Sequence, residues 1–420
     1  MGPAAHSLAA LAALVGLPVG LAALVLRPAW RVGLPERCGR RPENPPGAIW
    51  VHAASVGEIR AAAALMDQLR ESGENVVASA MTRTGRDLLW RIRPQVPCAL
   101  APLDHPWAVE AALRRVRPSA LALVETELWP SWILGAHRRR VPVVVVSGRI
   151  SDRSYPRYRR IGACVRPILR RIAAIGARSA ADAERFLSLG ASPERVEVTG
   201  DLKLEPPWDR AVIAEDLKSV LGEVPLIVAG STHEGEEDEL LSALAQVEQA
   251  GLRASLVLAP RHPERFGAAE ALVRRAGRSV RRRSRLEARA LTEGEVLLLD
   301  SMGELPGLYA RAAVAFVGGS LVPVGGHNLL EPILEGRPVL FGPHTENARE
   351  AAALALRTGA GCRVSGGADL ARAAIAALRD PSAWRARAEA GREALEQHRG
   401  TAERSARLIR RARDLSGRER

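Results

Sequence analysis

The chain has 420 residues, of which 47% are hydrophobic and 25% are charged. These values are typical of an ordered globular protein, and the length suits two α/β domains better than one small core. The net charge of +13 indicates an anionic partner, such as nucleic acid, a membrane surface or a phosphorylated substrate. Few aromatic residues accompany the basic clusters and no RNA-recognition, KH or zinc-finger signature occurs, so we expect no nucleic-acid partner.

An uncharged apolar run occupies residues 8–26. At 1.5 Å per residue, about 20 residues cross a hydrocarbon core of roughly 30 Å, so the run predicts an N-terminal membrane anchor. His6 alone precedes the run, whereas several arginines follow it, which predicts that the remainder of the chain lies on the cytoplasmic side. A helix lying shallowly in the membrane is the alternative. The basic segment that opens a signal peptide is absent from residues 1–7.

The four cysteines are widely separated and form no CxxC pair. A disulfide framework or a zinc site needs closer or paired spacing. We therefore expect reduced thiols at Cys38, Cys98, Cys164 and Cys362.

Beyond a linker at residues 42–47, apolar segments typical of buried strands alternate with helical patterns. The first half has predicted strands at residues 48–52, 75–79, 120–124, 141–147, 172–175 and 196–199. A pause at residues 206–208 precedes predicted strands at residues 226–229, 254–259, 296–299, 314–317 and 339–341. This alternation predicts parallel sheets covered by helices on both faces.

The predicted fold class is therefore α/β, with two Rossmann-like domains facing across a cleft. The predicted divisions are an anchor at 1–30, an N-terminal domain at 31–206, a C-terminal domain at 207–382 and a helical segment at 383–420. We expect the last segment to pack back on the N-terminal domain. Ligands of such sheets bind beyond the carboxyl ends of the strands, so the loops that follow strands are the candidate sites.

Glu58 follows the first strand, where a helix is predicted to begin. A carboxylate in the first helical turn is held ionised by the helix dipole, so Glu58 is a candidate general base. The spacing from Ser55 to Glu58 is also that of a capping box. The two roles compete for one carboxylate, and the sequence leaves both open.

Two further carboxylates, Glu125 and Glu127, follow the strand at 120–124 and precede two tryptophans. Acidic acceptors beside a flat apolar wall are typical of sugar sites, although Glu127 can equally cap a helix that starts after Pro130. Arg149 and Lys203 follow later strands and can bind a carboxylate or phosphate, or form a solvated basic face.

The second half has four candidate loops after its strands. Helix starts with free N–H groups, glycines that allow close backbone approach, and a guanidinium predict anion binding. Neither GxGxxG after the first strand, nor a P-loop, nor a DxD pair occurs, so the predicted ligand is a nucleoside monophosphate held by amides and cations. The candidate residues are Ser231, Thr232, Arg261, Met302, Gly303, Asn328 and Glu331.

The chain resembles the 3-deoxy-D-manno-octulosonic acid (Kdo) transferases of lipopolysaccharide synthesis along nearly all its length. The resemblance rests on the order and spacing of WVHAASVGE, ETELWPSW, SGRISDRSYPRY, VTGDLK, GSTHEGEE, LAPRHPERF, DSMGEL and GGSLVPVGGHNLLEP. It implies a GT-B fold, CMP-Kdo as donor, lipid A precursor as acceptor, inversion at the anomeric carbon, and no cofactor or metal. It also implies a protein of the inner membrane with an anionic lipid surface as partner; the oligomeric state stays open.

Carried over by resemblance, Glu58 is the general base, and Glu125 and Glu127 stand in the cleft. Arg149 and Lys203 lie near the acidic sugar, and the seven candidate residues of the second half line the CMP site. Position 201 is Asp where the family pattern leads us to expect Asn. The alternatives are another GT-B enzyme with a UDP-sugar donor, a non-catalytic membrane protein that binds anionic lipid, and a nucleotide-sugar epimerase.

Overall fold

A computed structural model describes residues 33–40, 46–205, 212–287 and 289–418. The predicted anchor, most of the linker at 42–47 and the pause at 206–208 lie outside the described residues. The chain divides into two compact units. The first contains the described residues up to Lys203 together with those from Gly400 onward, and the second is Leu204–Arg399.

The first unit is built on a seven-stranded parallel sheet in the order β3-β2-β1-β4-β5-β6-β7. Its strands are β1 (Ile49–Ala53), β2 (Val76–Ala80), β3 (Cys98–Leu100), β4 (Ala120–Val124), β5 (Val143–Gly148), β6 (Ala174–Ala177) and β7 (Val196–Val198). Its helices are α1 (Leu34–Arg37), α2 (Val56–Glu71), α3 (Arg83–Ile92), α4 (Pro106–Val116), α5 (Pro130–Arg138), α6 (Tyr155–Arg160), α7 (Gly162–Leu169), α8 (Ala180–Ser188) and α17 (Thr401–Arg418).

Helices cover both faces of this sheet, so its central strands are buried throughout. Along β1, Ile49 and Val51 pack with α2 and α17 on one face, whereas Trp50 packs with α4 and α5 on the other. This is why β1 is apolar nearly throughout instead of alternating with polar residues.

The second unit has the same architecture, with strand order β10-β11-β9-β8-β12-β13-β14. Its strands are β8 (Leu226–Thr232), β9 (Ser255–Pro260), β10 (Val280–Arg282), β11 (Val296–Leu298), β12 (Ala312–Val317), β13 (Val339–Phe341) and β14 (Gly361–Arg363). Its helices are α9 (Glu215–Leu221), α10 (Glu236–Gln249), α11 (Phe266–Arg275), α12 (Leu305–Tyr309), α13 (Leu330–Leu334), α14 (Arg349–Thr358), α15 (Gly367–Arg379) and α16 (Pro381–Glu396). The prediction of α/β architecture with parallel sheets is confirmed.

The strands that sequence patterning missed are β3, β10 and β14, each three residues long. All three lie at a sheet edge. An edge strand has one neighbour and needs less apolar sequence, so a strand such as β10, with two arginines, carries no hydrophobic signal.

The C-terminal helices divide between the units. Helix α16 packs on α13 and α14 of the second unit, and only α17 packs on the first, against α2 and the strands β4 to β6. The division therefore falls after Arg399, compared with the predicted boundary at 382.

Part of the basic run at residues 281–285 is engaged in internal ion pairs. Arg281 is 7% exposed and bonds to Glu295 through its Nε at 2.9 Å, and Arg283 pairs with Asp216 and Glu304. By contrast, the arginines of α6 are exposed. Of the helices described, none combines the length and apolar character needed to span a bilayer.

The docking of α17 should contribute strongly to the stability of the first unit. Ile409 is fully buried in the core, so Ile409→Ala should lower the free energy of unfolding by about 2–5 kcal/mol. Leu415 of the same helix is 57% exposed, and Leu415→Ala should change it by less than about 0.5 kcal/mol. Urea unfolding of the full chain measures both, and equal effects would contradict the packing described.

Candidate functional site

The start of α2 places Glu58 at the carboxyl end of β1. The Ser55 hydroxyl accepts a bond from the Glu58 N–H at 3.3 Å and donates to the Glu58 carboxylate at 2.8 Å. The other carboxylate oxygen accepts from the Ala54 N–H at 2.7 Å. The predicted helix cap therefore forms, and the Glu58 carboxylate bonds to the N–H of Ala54. A carboxylate has about four acceptor positions, so two bonds leave capacity for a substrate hydroxyl.

Charges around Glu58 tune its protonation. Burial, followed by the negative charge of Glu125, raises the pKa of Glu58 above its ordinary value. The hydrogen bonds from Ser55 and Ala54 and the positive charge of Lys203 oppose that rise. A carboxylate with a raised pKa is a stronger base than one free in water, which suits it to removing a hydroxyl proton.

Glu125 and Lys203 form an ion pair, with Lys203 Nζ 2.5 Å from Glu125 Oε1. Both side chains are about one-fifth exposed. Glu125 directly follows β4 and has a φ of +61°, a left-handed conformation that costs a residue other than glycine free energy. Such strain is concentrated at functional sites, where the surrounding structure enforces it.

Glu127 lies in the same group of acids. Burial, followed by the charge of Glu58, raises the pKa of Glu127 to about 7. Glu127 in turn contributes, after burial, to a raised pKa of Tyr158 on α6. The structure thus brings Glu58, Glu125, Glu127 and Lys203 into one electrostatically coupled group, which we call the acidic group.

The loop that carries Glu125 and Glu127 is held at both ends. The Thr126 hydroxyl donates to the Arg149 carbonyl and accepts from the Arg149 N–H at 3.0 Å. At the other end, the Ser131 N–H donates to Asp104 Oδ1 at 2.8 Å. The structure thus ties the backbone of Arg149 to the acidic loop.

Sequence analysis missed Asp104. Helix α5 cannot cap itself, because Trp129 at its N-cap offers no side-chain acceptor and Pro130 has no N–H. Asp104 supplies the acceptor from a distant segment, and burial raises its pKa to about 6. The uncapped helix start was the one sequence signal that could have indicated such a partner.

Lys203 is positioned by Asp201. The Asp201 carboxylate is 3% exposed, accepts the Lys203 N–H at 2.9 Å and lies 3.5 Å from the Arg178 guanidinium. The Ser147 hydroxyl also lies 3.4 Å from it. Arg178 accounts for an aspartate at a position where asparagine was expected, because an ionised side chain can pair with it.

In the second unit, Ser231 and Thr232 end β8. Ser231 has a φ of +56° and is half-buried. Thr232 is fully buried, and its hydroxyl donates to Glu237 at 2.9 Å. Glu237 also pairs with Arg265 at 2.8 Å. The Thr232 hydroxyl therefore stabilises the start of α10, and its contact does not support a role in ligand binding.

Three of the predicted residues are exposed at the carboxyl ends of neighbouring strands. Arg261 follows β9, and its N–H donates to the Thr232 carbonyl at 3.0 Å. Met302 is 71% exposed beside Gly303, which has a φ of +86° in the turn after β11. This edge therefore presents a cation and a flexible apolar side chain to solvent.

Asn328 and Glu331 form the start of α13. Asn328 donates to the Glu331 carboxylate at 3.0 Å and accepts from the Leu330 N–H at 3.0 Å. Burial raises the pKa of Glu331. The negative charge of Glu331 contributes, after burial, to the raised pKa of the fully buried Tyr309. Asn328 itself is exposed, so the pair is accessible from one side.

The first amides of the glycine-rich loop after β12 bond to a side chain of the protein itself. The carboxylate of Glu236, which is fully buried, accepts the N–H groups of Gly319 at 2.7 Å, Ser320 at 3.0 Å and Leu321 at 2.9 Å. It also accepts the N–H of His233 at 2.9 Å. These four amides therefore hold an anion that the chain itself provides, whereas anion binding at the helix start beyond Gly326 stays a prediction.

Three histidines that sequence analysis did not select meet beside this loop. We call His233, His262 and His327 the histidine cluster. The Nε2 atoms of His233 and His327 are 2.8 Å apart, with the rings stacked at 5.1 Å. His262 meets His233 edge-on at 5.3 Å. Each lies in a motif already quoted for other residues, and no local spacing relates them. Within the described ranges, no three His, Cys, Asp or Glu side chains are grouped as a metal site requires.

Comparisons with known proteins point to one family. The model of the family described as 3-deoxy-D-manno-octulosonic-acid transferase (kdotransferase) matches residues 32–205. A 3-deoxy-D-manno-octulosonic acid transferase of Bordetella pertussis is 34% identical over 391 residues, or 90% of this chain and 91% of that relative. One of Haemophilus influenzae is 33% identical over 393 residues, with 90% and 91% covered. The chain spans half the length of a bifunctional glycosyltransferase/methyltransferase of Fusobacterium nucleatum, with which it is 34% identical over 325 residues.

Solved structures share the fold. CalG4, the calicheamicin glycosyltransferase, aligns with a TM-score of 0.51 and 12% identity, covering 88% of this chain and 98% of its own. MurG of Acinetobacter baumannii aligns with a TM-score of 0.53 and 14% identity, covering 87% and 100%. At such identities the likeness concerns the fold alone, which is that of GT-B glycosyltransferases.

The carboxylate of Glu236 should be essential to the loop after β12. In Glu236→Gln an amide group replaces one acceptor oxygen and leaves two buried N–H groups without a bond, at about 1–3 kcal/mol each. The free energy of unfolding should therefore fall by about 2–6 kcal/mol. Glu234→Gln, an exposed change two residues away, should have little effect. Equal unfolding midpoints for the two variants in urea would contradict the assignment.

Proposed function

Because the chain belongs to the 3-deoxy-D-manno-octulosonic acid transferase family, we propose that it moves Kdo from CMP-Kdo to a lipid A precursor. It is a glycosyltransferase, and Kdo transfer in lipopolysaccharide synthesis is its activity. The donor, the acceptor and the residue roles are the proposal. The observation that carries it is the buried Glu58 carboxylate beside Glu125 and Lys203 at the end of β1.

Glu58 acts as the general base. It removes the proton of an acceptor hydroxyl as that oxygen forms a bond to the anomeric carbon of Kdo. The bond from the anomeric carbon to the phosphate oxygen breaks, and its electron pair leaves with CMP. Displacement from the face opposite the leaving group inverts the anomeric configuration.

Lys203 and Arg149 supply positive charge toward the acidic sugar, since Kdo carries a carboxylate next to its anomeric carbon. Lys203 also lowers the pKa of Glu58, which keeps the base ionised. Glu127, with its pKa raised to about 7, can accept the proton that Glu58 gains and pass it to solvent.

The second unit binds the nucleotide. Arg261 and Met302 are exposed at its carboxyl edge, where a cation and an apolar side chain suit a phosphate and a pyrimidine ring. Ser231 and Gly303 shape the turns there, and the Asn328–Glu331 pair offers hydrogen bonds to ribose hydroxyls. Thr232 contributes by bracing α10.

The acceptor is a phosphorylated lipid, so a basic surface should lie near the acidic group. Tyr158, on α6, is electrostatically coupled to Glu127, and the same helix exposes Arg157, Arg159 and Arg160. Ile161, which follows the helix, is 53% exposed. We assign this surface to acceptor phosphates and the anionic cytoplasmic face of the inner membrane, with the apolar run at residues 8–26 as the anchor.

The base and the cap can be separated by mutation. Glu58→Gln should lower kcat/KM for Kdo transfer by about 10²–10⁴-fold, the contribution of a general base. Ser55→Ala removes the cap bond and should cost about 1 kcal/mol of stability while retaining most transfer at pH 8. Kdo incorporation from CMP-Kdo measures the rates. If the two variants lost transfer equally, Glu58 would act through its cap alone.

The charges beside Glu58 should move the pH profile in opposite directions. The base must be ionised, so kcat/KM falls as pH drops through the pKa of Glu58. Glu125→Gln removes a charge that raises this pKa, and the acid limb should shift to lower pH. Lys203→Met removes a charge that lowers it, and the limb should shift to higher pH. Shifts in the same direction would contradict this arrangement.

Charge reversal on α6 tests the acceptor surface. Replacing Arg157, Arg159 and Arg160 by Glu should raise the KM for the lipid acceptor at least tenfold and leave the KM for CMP-Kdo unchanged. An unchanged acceptor KM would refute the assignment. The control reverses three exposed arginines of the second unit, namely Arg275, Arg357 and Arg379.

A further inference from the structure

The histidine cluster lies where three neighbouring strands of the second sheet end. His233 follows β8, His262 follows β9, and His327 lies in the loop after β12. Strand β8 pairs with both β9 and β12, so the three loops meet at one edge. This is the edge of a parallel sheet at which ligands bind.

The contact between His233 and His327 fixes how many protons the pair can hold. At 2.8 Å, one Nε2 donates and the other accepts. Two neutral imidazole rings carry two N–H protons in total, one on each ring. A third proton leaves the contact between the Nε2 atoms intact and gives the pair one positive charge. A fourth would place two N–H groups against each other, so the pair has a single charging step.

The geometry of the cluster bears on two other hypotheses, a zinc site and an anion held by the loop amides. Two imidazole ligands of a tetrahedral zinc ion, at 2.0–2.1 Å each, have their nitrogens roughly 3.3 Å apart, with the metal between them. The Nε2 atoms of His233 and His327 are closer together than that and share a direct hydrogen bond. The loop amides beside the cluster are taken by Glu236, so an anion there must find other donors.

The groups around His233 shift its pKa in both directions. Burial lowers the pKa of His233 below its usual value, and His262 and Arg265 lower it further. Glu236 and Glu237 oppose this through their negative charge. The Glu264 carboxylate lies 3.9 Å from Nδ1 of His262. A bound anion adds negative charge and so favours protonation.

We propose that the histidine cluster binds the phosphate ester of the cytidine nucleotide and takes up a proton from solvent on binding, so that a positive charge already faces the phosphate when it becomes the leaving group. The inference rests on the donor proposed above. When the bond from the anomeric carbon to the phosphate oxygen breaks, its electron pair stays on the phosphate, whose charge rises from −1 to −2. The cluster stabilises this added charge, as preorganised donors do in group transfer.

The test measures binding of the methyl ester of CMP, which keeps one negative charge between pH 6 and pH 8. Wild type should bind it about three- to tenfold more tightly at pH 6 than at pH 8, because anion binding is linked to proton uptake. Cytidine should show no such difference. His233→Gln and His327→Gln should each abolish it, whereas His137→Gln, at an exposed histidine of the first unit, should not.

The outcomes separate this inference from the identity of the donor. A pH difference that persists in both variants, or none in wild type, would overturn the histidine assignment. The methyl ester of UMP is titrated in parallel. Tighter binding of the uridine ester with the same histidine-dependent pH difference would reject the cytidine donor and uphold the anion role of the cluster.

Discussion

Both units depend on parallel sheets whose central strands are buried on both faces. The side chains on both faces of such a strand are buried against helices, as Ile49 and Trp50 are along β1. They are therefore not accessible to a substrate. Functional groups must then lie in the loops after the strands. Parallel pairing brings those loops to one edge, which is how residues as distant in sequence as Glu58, Glu125 and Lys203 become neighbours.

Neighbouring carboxylates would repel one another and take up protons if nothing opposed them. Two of the three acids have local partners in the structure. Ser55 and Ala54 bond to Glu58, and Lys203 pairs with Glu125. Capping is therefore compatible with the base role proposed for Glu58, because the hydrogen bonds at the start of the helix also stabilise the ionised form that a base needs.

Sequence patterns predicted the features that depend on neighbouring residues, and they did not predict contacts between residues far apart in the chain. Periodicity and apolar runs located the central strands, and the local spacing of Ser55 and Glu58 predicted the cap that forms. The residues missed act across long separations. Asp104 caps a helix that begins at Pro130. Glu236 accepts hydrogen bonds from the amides of a loop more than eighty residues away. No pattern within a short window contains either pairing, so only the folded chain reveals them.

The roles proposed for both units depend on one reaction, the transfer of Kdo from a cytidine donor with inversion. The most direct measurement supplies membranes containing the protein with CMP-Kdo, generated in place, and a lipid A precursor, and analyses the product by mass and by anomeric configuration. The account predicts a Kdo-bearing lipid with the configuration inverted relative to CMP-Kdo. Transfer from a UDP-sugar in place of CMP-Kdo, or retention of configuration, would contradict it.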